Sequence, residues 1–195
     1  MTKRSLSWTS GRGFWLTALL TVVITALVSH VALLQMIPFL QTDKQIEAGI
    51  RRGFSINELA QPPAPRAGST SVPLANPDTL GSRAYLDLAS GPLVLSGIRP
   101  EGCAYWSVSI FAHNTDTLLV KSDREIPAGP FAIGIRRGEQ TITEPVDLET
   151  VMPSDRGVLL IRCFMRQRED VAYLASLDAE RRTFVLRRAD KEVGQ

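Results

Sequence analysis

The hydrophobic positions of this chain follow two regimes. From Gly13 to Gln41 no Lys, Arg, Asp or Glu interrupts the sequence, and Phe14 to Leu34 is its most apolar part. As a helix that part spans about 30 Å, the hydrocarbon thickness of a bilayer. The run far exceeds the h-region of a cleaved signal peptide, and S-H-V-A around Ser29–Ala32 supplies no small-x-small cleavage site. The pattern therefore predicts one uncleaved transmembrane helix over residues 13–40. Beyond it the period shortens to two, and turn residues punctuate the chain.

Between Arg83 and Leu88, Ala84, Leu86 and Leu88 fall on one face, with Arg83, Tyr85 and Asp87 on the other. That is the signature of a half-buried strand. Ser90-Gly91-Pro92 turns the chain into an apolar strand over Leu93–Ser96. After Pro100-Glu101-Gly102, Trp106, Val108 and Ile110 alternate with Tyr105, Ser107 and Ser109. Three such runs at short intervals predict an antiparallel meander. Further strands are expected at Leu118–Val120, at Phe131–Ile135 paired with Thr141–Thr143, at Gly157–Met165, and at Phe184–Leu186. On the Gly157–Met165 strand, Leu159, Ile161, Cys163 and Met165 share a face. Glu169 to Arg182 reads as a helix with an apolar stripe of Val171, Leu174, Ala175 and Leu177. The predicted fold is mainly β, an antiparallel β-sandwich or an open barrel-like sheet, with a C-terminal α-helix and one N-terminal transmembrane helix.

Residues 41–74 connect the two regimes. Ile46, Ile50 and Leu59 are the apolar anchors of Gln41–Ala60, a short juxtamembrane helix broken near Gly53. The stretch Q-P-P-A-P-R-A-G-S-T-S-V-P then reads as a polyproline-like spacer. The exported domain is expected over residues 75–195, where Pro77 keeps Asn76 out of the α region and Asn76 or Asp78 makes Asx-type turn bonds.

Charge and composition sharpen this organisation. A formal net charge of +2 over 195 residues gives no electrostatic footprint for nucleic acid, which is not expected as a partner. With two cysteines and two histidines, a four-ligand structural zinc site is not expected, nor is any other metal site or cofactor. Lys3, Arg4 and Arg12 precede the apolar run, and Lys44, Arg51 and Arg52 follow it, so cations alone do not orient it. The acid-free basic tail breaks the tie. Residues 1–12 are expected in the cytoplasm and the C-terminal domain in the periplasm, which places the protein in the inner membrane. His30, near the end of the span, reads as an interfacial residue rather than a proton relay.

Candidate chemistry is sparse. A Ser-His-Asp hydrolase would have to use His113, with Asp116 nearby, but no G-x-S-x-G elbow is present. Asn114 and Asp116 beside His113 are ordinary loop composition. Asp78 and Asp87 are accounted for by a turn and a strand face rather than by a glycosidase pair. Arg83, Tyr85 and Tyr105 on outward strand faces form a candidate sugar- or protein-binding row, weighed against ordinary cross-strand pairs. Arg162 alternates with apolar neighbours and, if buried, would need an acid such as Asp78 or Asp87. Two cysteines in an oxidising compartment invite a disulfide. Cys163 lies on an apolar face and Cys103 abuts a turn with no clear direction, so buried free thiols are favoured. A Cα separation above about 7 Å would exclude the bond.

Three segments carry a family likeness. Ala75–Leu80 (A-N-P-D-T-L), Tyr85–Pro92 (Y-L-D-L-A-S-G-P) and Tyr105–Ser109 (Y-W-S-V-S) resemble the bacterial family called domain of unknown function 1254. M-P-S-D-R-G-V-L-L-I-R (Met152–Arg162) is similar to a strand-entering motif of its short, membrane-anchored alphaproteobacterial members, while Gly81 stands where many relatives carry an aromatic. The resemblance implies a β-rich domain in a Gram-negative envelope and no established chemistry. It also implies a companion, domain of unknown function 1214, either fused or borne by a separate small membrane protein.

The expected function is therefore a single-pass membrane protein whose β domain binds another envelope component, with no catalytic site of its own. An enzyme acting on a glycan or lipid-linked substrate is the alternative. Asn76, Asp78, Arg83, Tyr85, Tyr105 and His113 are the candidate binding residues, and no catalytic residue is assigned. A hetero-oligomer with the companion protein is expected. Thr17, Ala18, Thr21, Thr25, Ala26 and Ser29 place small or hydroxyl residues at helical spacings in the span, and short strands leave edges to cover.

Overall fold

The computed structural model describes residues 11–64 and 76–189. It resolves into two compact units, Met1–Gln41 and Thr42–Gln195. The first consists of the greater part of helix α1, Gly11–Arg51, which runs through Pro38. Its most apolar stretch has a mean hydropathy of 2.2 and is unburied, and the helix is long and apolar enough to cross a membrane. Thr17 Oγ1 donates to the carbonyls of Gly13 and Phe14, and Thr21 Oγ1 to that of Thr17. These hydroxyls are thus satisfied within the helix, which lets Thr reside in an apolar setting.

Helix α1 ends in a Schellman arrangement. Gly53 N–H donates to Ile50 O and Phe54 N–H to Gly49 O, and Gly53 takes the positive φ (86°) that this cap requires. The break near Gly53 is thus where the sequence places it.

The second unit is a β-sandwich. One four-stranded sheet has the order β1 (Thr79–Asp87), β7 (Arg156–Phe164), β3 (Tyr105–Ala112), β4 (Thr117–Ser122). The other has the order β6 (Leu148–Met152), β5 (Gly129–Arg137), β2 (Leu93–Arg99), β8 (Val185–Arg188). All pairings are antiparallel except β5 with β6. Between the sheets lie Leu86, Leu88, Leu93, Leu95, Trp106, Val108, Ile110, Ile133, Ile135 and Leu159, all without solvent exposure. Trp106, Phe131 and Phe184 meet as tilted and edge-on rings with centroids 5.4 to 6.4 Å apart. The mainly β class with a C-terminal helix holds.

The expected meander does not. β1, β2 and β3 are consecutive but do not pair with one another, because β2 crosses to the second sheet and β7 inserts between β1 and β3. Alternation reports which face of a strand is buried, not which sheet the strand joins. Thr141–Thr143 is likewise no strand; β5 pairs instead with β6, in parallel. The loop containing Thr141–Thr143 lays Ile142 and Val146 over Gly134, where a β-carbon would come within 2.6 Å of Ile142.

Residues that precede Ala75 also belong to this unit. Thr42, Ile46 and Gly49 are buried along one face of α1. Ile56 and Ala60 form bridges to Tyr85 and Arg83 at the outer edge of β1. Asn57 adds a reciprocal pair, accepting from Asp87 N–H and donating to Asp87 O, both at 2.8 Å. The chain thus covers one exposed sheet edge with its own preceding segment.

Helix α2 (Val171–Arg181) is capped by Asp170, whose Oδ1 accepts from the N–H groups of Ala172 and Tyr173. Of its predicted stripe only Leu177 is buried, and Val171 is 79% exposed. Leu177 enters the core with Tyr173 and Leu174 packed against it, and polar contacts add to this hold. Arg181, 4% exposed, donates to the carbonyls of Gly81 and Gln61 and pairs with Asp178, while Gln61 Nε2 donates to Arg181 O.

Asp178 sits partly buried between Arg181 and Arg182. Burial raises its pKa, but the hydrogen bonds and charges of the two arginines outweigh that, and its carboxyl titrates below the ordinary range. A depressed carboxylate contributes stability that is complete above the unfolded value of about 3.9 and is lost as pH falls through the lower folded value. Discounted for solvent screening, Asp178→Asn is expected to cost about 1 kcal/mol at pH 7 in urea unfolding, and the difference from wild type should fade below about pH 4.

Candidate functional site

The six candidate residues do not converge. Asn76 and Asp78 lie at the start of β1, where Asn76 Oδ1 accepts from Asp78 N–H and Asp78 O accepts from Met165 N–H. Asn76 therefore does make the Asx turn expected of it. Tyr105 opens β3 beside Phe164, and His113 follows the last residue of that strand. The length of β3 puts roughly 26 Å between Tyr105 and His113.

Arg83 and Tyr85 lie on the outward face of β1 yet are covered. Tyr85 is 7% exposed because Gly49 of α1 packs on its ring, and the Arg83 guanidinium stacks 4.6 Å over Phe54. The row Arg83–Tyr85–Tyr105 is thus not one open surface. The residue pattern shows that these side chains point away from the core, but not that residues 42–60 return to lie on them.

His113 is engaged by Asp43, whose Oδ1 sits 2.8 Å from His113 Nε2 and accepts at 2.9 Å from Arg156 Nη1. Asp43 was missed as a site residue because it precedes the strand pattern. The only signal for it is the helical spacing of Thr42, Ile46 and Gly49, which fixes the face of α1 that meets the sheet. An acid shared between an arginine and a histidine clasps the end of α1. Among the described residues no group of three or more His, Cys, Asp or Glu side chains could hold a metal ion.

Cys103 and Cys163 form a disulfide, with Cα atoms 5.4 Å apart. This overturns the expectation of free thiols. Cys163 does point to the core, and Cys103 turns inward from its loop to meet it, at the end of the sandwich where Tyr173 Oη donates to Gly102 O. The direction of a loop cysteine is set by tertiary packing, which is why the sequence left it open.

What remains open on the outer face of the first sheet is a cluster of side chains set around the buried Ser107 and Ser109 and beside the covered Arg83. Antiparallel register places Thr79, Phe164 and Tyr105 in one row, Gly81, Arg162, Ser107 and Ser122 in the next, and Arg83, Leu160, Ser109 and Val120 in the third. Tyr105, Phe164 and Val120 are 43%, 40% and 49% exposed. Arg162 is exposed too, and makes no ion pair with Asp78, Asp87 or any other acid among the described residues. Aromatic and aliphatic side chains around a single cation make a surface suited to binding.

Residues 56–187 match the family model described as Protein of unknown function (DUF1254). The chain belongs to this family. The match begins at Ile56, the residue whose bridge to Tyr85 opens the cover of β1, so the DUF1254 unit includes that edge segment. Two solved structures are similar to this chain, and the first shares its fold. The VPA0106 protein of Vibrio parahaemolyticus superposes with a TM-score of 0.65 at 17% identity, over 84% of this chain and 40% of that one. A putative uncharacterized protein from Burkholderia cenocepacia gives 0.46 at 18% identity, over 82% of this chain and 42% of that one. The DUF1254 chain thus spans less than half the length of either. No curated protein matches it.

Proposed function

We propose that this DUF1254 protein is a single-pass inner-membrane protein, its N-terminus cytoplasmic, whose periplasmic β-sandwich binds another component of the cell envelope. The observation that carries the reading is the Cys103–Cys163 disulfide in a domain that follows a membrane-length apolar helix. Disulfides persist in oxidising compartments and are rare in the cytosol, so the bond adds an argument for export that does not depend on the charge count. Binding is favoured over catalysis because Asp43, the acid that His113 meets, is shared with Arg156 as a clasp, whereas Tyr105, Val120, Phe164 and Arg162 stand exposed on one sheet face. An enzyme acting on a glycan or lipid-linked substrate would need a nucleophile or second acid beside His113. The partner implied by the family is a small membrane protein carrying domain of unknown function 1214.

A reporter active only outside the cytoplasm, fused after Gln195, should be active. In intact cells both cysteines should resist alkylation until a reductant is added, and the mature product should begin at or near Met1. A product beginning beyond Ala32 would replace the anchor with a cleaved signal, and freely alkylated cysteines would place the domain in a reducing compartment.

A further inference from the structure

β7 presents its alternate residues Arg156, Val158, Leu160, Arg162 and Phe164 on the outer face of the first sheet, where they flank β1 and β3. At one end of this row the domain shows how the face is used. Residues 42–51 of α1 lie on it, Asp43 meets Arg156 at 2.9 Å, and Gly49 packs on Tyr85, the register partner of Val158. Phe54, just past the helix, then covers Arg83. A helical segment carrying an acid therefore already occupies half of the face. At the other end Arg162 stands in the same alternate row with no acid among the described residues, between Gly81 and Ser107 and beside the exposed rings of Phe164 and Tyr105. A guanidinium in mid-sheet with small neighbours on both sides can be reached by an incoming carboxylate from above, and Gly81 and Ser107 keep the floor low.

We propose that this half of the face, centred on Arg162 and bounded by Tyr105, Phe164 and Val120, docks a segment of a second polypeptide that brings an Asp or Glu to Arg162, as Asp43 serves Arg156. Charge complementarity and continuity with the α1 contact point to this occupant. A neutral glycan offers the guanidinium no opposite charge, and a symmetric pairing of two copies through this face would set Arg162 against arginines rather than an acid. The inference rests on the binding role proposed above and names its surface.

The test uses the full chain in its native membrane, with a photoreactive amino acid replacing Phe164 or Tyr105, and separately Val185 on β8 or Val151 on β6. Phe164 and Tyr105 should give a discrete protein adduct, and mass spectrometry should place an Asp or Glu within a few residues of the crosslinked position. Arg162→Glu should reduce that adduct at least about tenfold, Arg162→Lys should retain part of it, and reversing the mapped acid to Arg should restore it with Arg162→Glu. Retention of the Cys103–Cys163 bond in each variant reports that the domain is folded. An adduct only with lipid, glycan or a second copy of this chain, or one indifferent to charge reversal, overturns the proposal. Adducts from Val185 or Val151 alone would overturn this surface and leave the binding role standing. No adduct from any position would overturn both.

Discussion

Replacing Cys103 and Cys163 together by serine is expected to lower the stability of the β domain by about 4 kcal/mol. The bond closes a loop of 60 residues, and the chain-entropy relation for a loop of that length gives about 4 kcal/mol at 25 °C. For a unit running from Thr42 to Gln195 this corresponds to a fall in Tm of about 10 °C. The effect is local as well as global, because the bond fixes the entry to β3 against the exit of β7, beneath the start of α2. Urea unfolding of the detergent-solubilised protein would measure it, and wild-type protein in reductant should converge on the variant. A loss below about 1 kcal/mol would mean that strand pairing alone holds this end.

Trp106→Ala is expected to cost about 4 kcal/mol, the usual range for deleting a buried aromatic. Trp106 has no solvent exposure and touches the rings of both Phe131 and Phe184, so little around it can collapse into the space. Trp106→Phe should be much milder, about 1–2 kcal/mol. The indole Nε1 is buried without a hydrogen-bond partner among the described residues, so phenylalanine removes an unsatisfied donor while leaving a smaller void. Thermal unfolding of the two variants side by side would check the ordering; equal losses would show that the donor is satisfied.

How far the sequence discloses this protein follows from what periodicity can report. The inward residues Leu159, Ile161 and Cys163 of β7 and Met165 just beyond it are all buried, as alternation predicts, and so are Ala84, Leu86 and Leu88 in and just beyond β1. Alternation depends only on neighbours in the chain, so it survives folding. Sheet membership does not: β7 is placed between β1 and β3 by pairings with residues far away in sequence, and no local pattern distinguishes that from a meander. The parallel strand β6 was missed because L-E-T-V-M shows no hydrophobic alternation, with the polar Thr150 buried and Val151 46% exposed. The candidate site was legible to the same extent. Tyr105 could be read as outward and is open; Tyr85 could be read as outward and is covered, because the segment that covers it lies outside the strand pattern. Arg162 was noticed with its burial left open. An arginine among apolar neighbours suggests a buried pair, whereas it stands on an exposed face.

The order of the first sheet sets the order in which the chain can complete itself. β1 is among the earliest parts of the domain to be synthesised, yet its strand partner is β7, with Thr79 opposite Phe164. β3 can form a hairpin with β4 at once, but it too gains its second neighbour only when β7 arrives. Until then β1 has only the segment around Ile56–Ala60 beside it. Topologies dominated by such distant contacts fold in milliseconds to seconds rather than microseconds, because loop closure must precede the contacts that reward it. Cys163 travels on the same late strand, so the bond to Cys103 can close only after β7 has been made. With two cysteines in the chain, that bond has no wrong intramolecular partner to choose.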